Sequence, residues 1–99
     1  MEAFKALELI EQMEVNLADM YTKLRAKFSG DKALEDFFYQ LHREELDHVN
    51  LARRQQRVIR AKPSDFGEAH LNFTDFNKVM YLMKMILAMP RDKVNDILV

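Results

Sequence analysis

The sequence places two glutamates and a histidine where a pattern of apolar residues would otherwise continue. Glu45 and His48 form a Glu-x-x-His motif, and Glu14 interrupts an apolar series earlier in the chain. In a helix, residues three apart lie on the same face one turn from each other, so Glu45 and His48 can reach one metal ion from the same side. Carboxylate and imidazole groups are ligands of transition metals. The motif alone occurs by chance in many helices, and it gains weight only if Glu14 lies beside it.

The first predicted helix runs from about Glu2 to Phe28. One set of positions recurs at alternating steps of three and four residues, which is the heptad seam of helices that pack side by side. The residues of this seam are Leu7, Ile10, Glu14, Leu17, Tyr21, Leu24 and Phe28. Gly30 then suits the left-handed conformation that ends a helix, and Asp31 suits the N-cap of the next one. Glu14 therefore falls near the middle of the helix rather than at a frayed end.

The second predicted helix runs from about Lys32 to Ala61, and Pro63 stops it because a proline disfavours helix in the residue before it. Its seam follows the same heptad spacing. The residues of that seam are Leu34, Phe38, Leu41, Glu45, His48 and Ala52. The turn at 29–31 is short, so the two helices are predicted to be antiparallel neighbours. Pairing the two seams outward from the turn brings Glu14 level with Glu45.

Two carboxylates at one level of an apolar seam carry a free-energy cost that something must offset. Removing an ion from water is costly, and a second charge of the same sign adds to that cost. A bound metal ion would offset this cost directly. Protonation of one carboxyl, or an ion pair with an arginine, would also offset it. Arg43 points to another face of the second helix, which makes it a weak partner. The competing interpretation is a helical hairpin whose buried polar residues fix register or partner and bind no metal.

A glutamate, a tyrosine seven residues later, a short turn and a Glu-Glu-x-x-His run together resemble the rubrerythrin branch of the ferritin-like superfamily. In this chain they comprise residues 14–21, the segment 31–38 and the run 44–48, and the resemblance covers residues 7–57. It implies an all-α, ferritin-like fold that holds two iron ions on carboxylates. The rubredoxin-like cysteines of complete rubrerythrins are missing, because the chain has no cysteine.

The resemblance also implies a role for each residue of the motif. Glu14 would be the terminal ligand of one iron, Glu45 would bridge the two irons, and His48 would bind one of them. Tyr21 would lie beside the site and donate a hydrogen bond to it. The implied cofactor is a di-iron centre, and manganese is compatible with the same ligands. The implied activity is oxidation of Fe(II) or reduction of oxygen or peroxide.

This chain departs from the family in the number of ligands it supplies. A complete centre takes one glutamate from each of two helices and a Glu-x-x-His from each of the other two, and this chain has one of each. A homodimer would bring together two copies of Glu14, Glu45 and His48, a plan that the encapsulated ferritins resemble. Alternatively, the chain is the front half of a longer protein, which its abrupt apolar end at Val99 favours. We expect a four-helix bundle completed by oligomerisation, as a dimer or a multiple of it.

The rest of the chain is predicted to add further helices. A third helix is expected from residue 74 or 75 to Ala88, and a short C-terminal helix from Pro90 to Val99. The methionines of this region are expected to pack in the core. His42 adjoins the seam of the second helix and is expected to be a flank residue.

Length and composition indicate one small helical domain. The chain has 99 residues, of which 48% are hydrophobic and 31% charged, with two glycines and two prolines. Such a mixture favours helix and leaves few turn formers for a β-fold. We assign residues 1–99 to one domain, with a metal-binding hairpin at 1–62 and additional helices at 73–99.

Charge and hydropathy argue against two classes of partner. The net charge is −1, from fifteen basic and sixteen acidic residues, which leaves no electrostatic footprint for nucleic acid. No apolar run approaches the length of a membrane span, and no apolar signal core follows Met1. We therefore expect a cytoplasmic protein.

The four arginines between positions 53 and 60 are expected to form a solvated face, which suits the C-terminal end of a helix. The alternative function is a non-catalytic helical dimerisation module without metal.

Overall fold

Helices form the framework of the described part of the chain. The structure is a computed structural model, and it describes residues 2–67 and 74–90. Its elements are α1 at Ala3–Lys27, α2 at Lys32–Ala61, a short 3-10 helix at Pro63–Asp65, and α3 at Thr74–Ala88. No strand occurs within these two segments, which confirms the predicted all-α class. The predicted C-terminal helix after Pro90 lies outside the described residues.

The turn between α1 and α2 is held by the residues predicted for it. Gly30 has a φ of 98°, a conformation that disfavours residues with a Cβ atom. The side chain of Asp31 accepts a hydrogen bond from the backbone N–H of Leu34 at 3.2 Å, which caps α2. Glu35 accepts one from the backbone N–H of Gly30, also at 3.2 Å. These bonds fold α1 and α2 into the predicted antiparallel hairpin.

On α2, the row of residues that meets α1 lies beside the predicted seam. It has heptad spacing and comprises Phe38, His42, Glu45, Val49, Ala52, Gln56 and Ile59. Val49 is only 3% exposed, in place of the predicted His48. The prediction for His42 was wrong, since its Nδ1 lies 3.0 Å from the carbonyl oxygen of Ala18. The reason is that α2 buries a face wider than one seam, because Leu34 and Leu41 pack on the core that includes α3.

The hydrophobic core lies at the turn end of the hairpin. Its buried members are Leu17, Met20, Tyr21, Leu24, Phe28, Phe38 and Ile86, and Phe76, Val79, Met80, Met83, Leu87 and Met89 pack against them from α3 and its end. The rings of Phe28 and Phe38 stack with centroids 5.7 Å apart. Three of the methionines after Phe76 therefore pack as predicted, whereas Met85 is 38% exposed. We call this part of the hairpin, residues 17–41, the turn half.

Lys27 ties α3 to the turn half. Its ammonium donates hydrogen bonds to the backbone carbonyls of Leu87 and Met89, at the C-terminal end of α3. These carbonyls have no partner within the helix, so a cation there is favourable. The C-terminal end of α3 is thereby placed beside the last turn of α1.

The other end of the hairpin is covered less completely. We call it the free half, comprising residues 3–13 of α1 and 49–61 of α2. Arg53 pairs with Glu11 at 2.9 Å, and the guanidinium of Arg60 lies 5.1 Å from the ring centroid of Phe4. Val58 is nevertheless 58% exposed. The molecule measures 53 × 23 × 17 Å, and an elongated shape with large exposed apolar side chains is typical of chains that associate.

None of the described helices is both long enough and apolar enough to span a membrane.

Candidate metal centre

The three predicted ligands meet at the boundary between the two halves of the hairpin. Glu14 extends from α1, and Glu45 and His48 extend from α2. One potential ligand atom from each residue lies within 4.8 Å of the other two. His48 Nδ1 is 3.6 Å from Glu14 Oε2 and 3.4 Å from Glu45 Oε2. The short turn and the heptad spacing thus bring these residues together, as the sequence predicts.

Glu45 carries the least satisfied polar atom of the cluster. Its side chain is 12% exposed, and its Oε2 is buried without a hydrogen-bond partner. A buried acceptor left in this state costs about 1–3 kcal/mol. The contact with His48 does not have the geometry of a hydrogen bond, so the oxygen remains available as a ligand.

Exposure rises outward through the cluster. The side chains of Glu45, Glu14 and His48 are 12%, 26% and 56% exposed. The predicted burial of His48 in the seam is therefore wrong, because Val49 takes the inner position. A half-exposed imidazole can change rotamer without disturbing the core, so the cluster is backed by protein on one side and open on the other.

The spacing of the ligand atoms suits one metal ion after a small contraction. Metal–oxygen and metal–nitrogen bonds of about 2.1 Å put adjacent ligand atoms about 3 Å apart and opposite ones about 4.2 Å apart. The contacts of His48 Nδ1 at 3.4 and 3.6 Å are slightly longer than the first of these values. Three protein ligands leave coordination positions open, as in catalytic rather than structural metal sites.

Pairing with an arginine could also have offset the cost of the two buried carboxylates, but the described residues show no such pair. Within residues 2–67 and 74–90, no lysine or arginine nitrogen lies within 4.0 Å of the carboxylate oxygens of Glu14 or Glu45, and the nitrogen that does is the ring nitrogen of His48. Arg53 pairs instead with Glu11, one turn of α1 before the cluster. The two carboxylates therefore lack the neutralising partner that a structural ion pair requires.

Tyr21 lies two turns along α1 from Glu14 and is 5% exposed. Burial raises the pKa of its phenol, and the negative charges of Glu14 and Glu44 raise it further. The hydroxyl is thus within the electrostatic field of the cluster and remains protonated. It makes no hydrogen bond to Glu14, Glu45 or His48 in the described part of the chain, so its hydrogen bond to the site stays a prediction.

Two further residues lie near the cluster: Glu44, which was expected beside the site or at the surface, and His42, whose contacts with α1 were not expected. Glu44 is exposed, yet its charge acts on Tyr21, and it accepts a hydrogen bond from Gln40 at 3.4 Å. His42 contacts α1 through Ala18 and through the hydroxyl of Thr22, 3.2 Å from Nδ1. The regular step from Phe38 through His42 to Glu45 was the signal for His42, since these residues lie on one face of the helix.

Comparison of the chain with protein-family models, with curated proteins and with solved structures gives no match. The molecule is a small helical protein with a hairpin and a third helix, and no family is assigned to it. The resemblance to rubrerythrins rests on the residues of the motif.

Proposed function

We propose that the chain binds metal through Glu14, Glu45 and His48, and that two chains together hold a carboxylate-bridged pair of metal ions. The observation that carries this proposal is the cluster itself, with ligand atoms within 4.8 Å and a buried, unpartnered oxygen on Glu45. Two carboxylates and an imidazole match the donors that iron and manganese accept. One chain supplies half of the ligands of a two-metal centre, so a second copy completes the set.

The burial of each residue indicates its role as a ligand. Glu45, the innermost, is the candidate bridge between the two metal ions, and Glu14 and His48 are the candidate terminal ligands. The raised pKa of Tyr21 keeps its hydroxyl protonated even in alkaline solution, so it can serve as a hydrogen-bond donor near the ligands. Two Fe(II) ions held by these residues would supply one electron each to oxygen or peroxide and become Fe(III), so the proposed activity is Fe(II) oxidation coupled to reduction of oxygen or peroxide.

Metal analysis tests this proposal directly. Protein purified without oxygen is expected to take up about one Fe(II) or Mn(II) per chain, measured by elemental analysis after desalting. Glu45→Ala and Glu14→Ala should abolish uptake, because each removes a ligand. Asp47→Asn is the matched control, since Asp47 lies inside the Glu-x-x-His motif but is exposed and outside the cluster. Uptake that survives Glu45→Ala, or wild-type protein that refuses both metals, would contradict the proposal.

A second candidate function is a non-catalytic dimerisation module whose polar cluster fixes register. The observation that favours it is the set of exposed apolar side chains, including Val58 at 58% and Tyr81 at 66%. The two functions differ in their response to metal. A metal site raises the melting temperature as the metal concentration rises, by mass action, whereas a pure dimerisation module melts at the same temperature with metal and with a chelator.

A further inference from the structure

An apolar groove opens along the free half of the hairpin, between the start of α1 and the end of α2. Its volume is about 350 Å³, and among the residues that line it are Ala3, Ala6, Leu7, Ile10, Val58 and Phe66. Val58 and Phe66 are 58% and 41% exposed. Apolar surface of the groove therefore faces solvent, and exposed apolar surface of this kind marks binding sites.

The groove continues the face on which α3 packs in the turn half. Residues seven apart lie on one side of a helix, and one such row runs along each helix of the hairpin. The row on α1 comprises Ala3, Ile10, Leu17 and Leu24, and the row on α2 comprises Leu34, Leu41, His48 and Gln55. In the turn half, both rows pack in the core that includes Ile86 of α3. In the free half, Ala3, Ile10 and Gln55 line the groove, so the open part of this face has the form that holds a helix.

The length of α3 sets the length of the open part. Lys27 binds the C-terminal end of α3, and a helix of 15 residues is about 22 Å long. It therefore reaches back along α1 to about the level of Glu14. From that level to Ala3, the hairpin is about 16 Å long, which is the length of a helix of three turns.

The α2 edge of the groove is positively charged. Arg54 and Lys62 lie one turn before and one turn after Val58, on the same side of α2. Both side chains are exposed, and within the described ranges neither has a carboxylate oxygen within 4.0 Å. The segment 49–62 has five basic residues and no acidic residue. This edge therefore favours a partner with negative charge.

The α1 edge of the groove is mainly apolar. Leu9 is 42% exposed, one turn after a residue of the lining. Glu11 is already paired with Arg53, and Glu8 follows a lining residue and so points about 100° away from it. Glu2 lines the pocket at the end of the hairpin. An apolar floor with one basic edge matches a helix that is apolar on one face and acidic along one flank.

We propose that the groove binds an amphipathic helix of a partner protein, with its apolar face in the groove and its acidic flank along α2. This is the helix-in-groove mode of recognition, in which apolar anchors recur at steps of three and four residues. Arg54 and Lys62 are about 12 Å apart along α2, so they pair with acidic residues two turns apart on the partner. The inference goes beyond the proposed function, because the metal ligands take no part in it.

A synthetic helix tests the proposal on the full chain. The probe is a fluorescently labelled four-turn alanine peptide with leucine at heptad positions a and d and glutamate at each position e. Its matched control carries lysine in place of glutamate. Binding is measured by fluorescence anisotropy with a chelator present. We expect the glutamate peptide to bind at least about 10-fold more tightly, because two attractive contacts become repulsive in the control.

Substitutions in the chain locate the contacts. Arg54→Glu and Lys62→Glu are each expected to weaken binding of the glutamate peptide about 5-fold, and the double variant should prefer the lysine peptide. Val58→Asp should weaken binding of both peptides at least about 10-fold, because it places a charge in the apolar groove. Arg57→Glu is the matched control, since Arg57 is exposed but lies about 100° around α2 from Val58, on the side away from the groove.

Several outcomes would overturn the proposal. Wild-type chain that binds neither peptide at millimolar concentration has no such site. Equal effects of Arg57→Glu and Arg54→Glu would show attraction by net charge alone. Binding to phosphatidylserine vesicles in place of the peptide would assign the groove to a lipid surface. A lower urea midpoint in Val58→Asp without peptide would show that the chain itself fills the groove, and a peptide that binds only by dissociating a dimer in sedimentation would assign it to a second copy.

The peptide site and the metal site can fail separately. Glu45→Ala removes a proposed metal ligand but no residue of the groove, so it is expected to bind the glutamate peptide as the wild type does. Val58→Asp should take up metal as the wild type does. Loss of peptide binding in Glu45→Ala would overturn the separation of the two sites.

Discussion

The two halves of the hairpin have the same heptad spacing but differ in what covers them. In the turn half, α3 covers the face, and Leu24, Phe28 and Phe38 are fully shielded from solvent. In the free half, an apolar groove of about 350 Å³ lies open between the start of α1 and the end of α2, and Val58 is 58% exposed. A heptad pattern therefore predicts which side chains of two helices meet, and it does not predict whether a third helix covers them.

The candidate metal centre lies where these two halves join, so it has a packed side and an open side. The packed turn half holds the backbone of Glu14 and Glu45, which a binding site needs for fixed geometry. The open free half leaves His48 half exposed and the coordination positions accessible. The difference between the halves thus provides both a rigid support and an entrance.

The largest expected effect on stability comes from shortening one buried side chain in each half of the hairpin. Phe38→Ala is expected to lower the free energy of unfolding by about 3–5 kcal/mol, because Phe38 is fully enclosed. Ile59→Ala, in the free half, should cost about 2 kcal/mol, since the neighbouring groove lets the structure relax around the smaller side chain. Urea unfolding followed by circular dichroism measures both. Equal losses would show that the free half is as tightly packed in solution as the turn half.

A smaller effect on stability is expected at Glu45, where the two halves of the hairpin join. Glu45→Leu should raise the free energy of unfolding of the metal-free protein by about 1–3 kcal/mol, because it removes a buried acceptor without a partner. Glu44→Leu is the control, since Glu44 is exposed and surface changes are usually worth less than about 0.5 kcal/mol. The measurement is chemical denaturation of both variants with a chelator present. A destabilised Glu45→Leu protein would mean that this carboxylate is satisfied in solution without metal.

The smallest effect concerns Tyr21 and appears only at alkaline pH. The pKa of Tyr21 is raised above 10.0 in the folded protein, so above that pH the unfolded chain releases this proton and the folded chain retains it. Stability is then lost as the pH rises. Tyr21→Phe should show a shallower loss than the wild type, measured by urea unfolding below and above pH 10. Parallel losses in both proteins would show that Tyr21 is not shielded.

The hairpin and its cluster were predictable because their causes are local. Gly30 and Asp31 set the turn, and a turn of three residues leaves few ways to pair two long helices. Glu14 and Glu45 then meet because the seams have the same period. The depth of each ligand was not predictable from one seam, since α2 packs on both α1 and α3. His42 and Val49 took inner positions for that reason, and His48 lies further out.

The position of α3 could not be read from the sequence because its contacts are distant in the chain. Its apolar residues predict a helix from residue 74 or 75 to Ala88, and the structure has this helix at Thr74–Ala88. Nothing in their pattern indicates that Lys27 would hold the end of this helix, or that α3 would cover one half of the face. The exposed Tyr81 and Leu82 were likewise indistinguishable from core residues by spacing alone.

The bond between Lys27 and the end of α3 has a consequence for the order of folding. It joins residues 60 positions apart, whereas α1 and α2 are joined by a turn of a few residues. Closing a long loop costs more entropy than closing a short one, and helical contacts close in sequence form fastest. The hairpin is therefore expected to form first, with Glu14 and Glu45 already at the same level of the two helices, and α3 to dock afterwards. Pulsed hydrogen exchange would then find amides of α1 and α2 protected before those of α3.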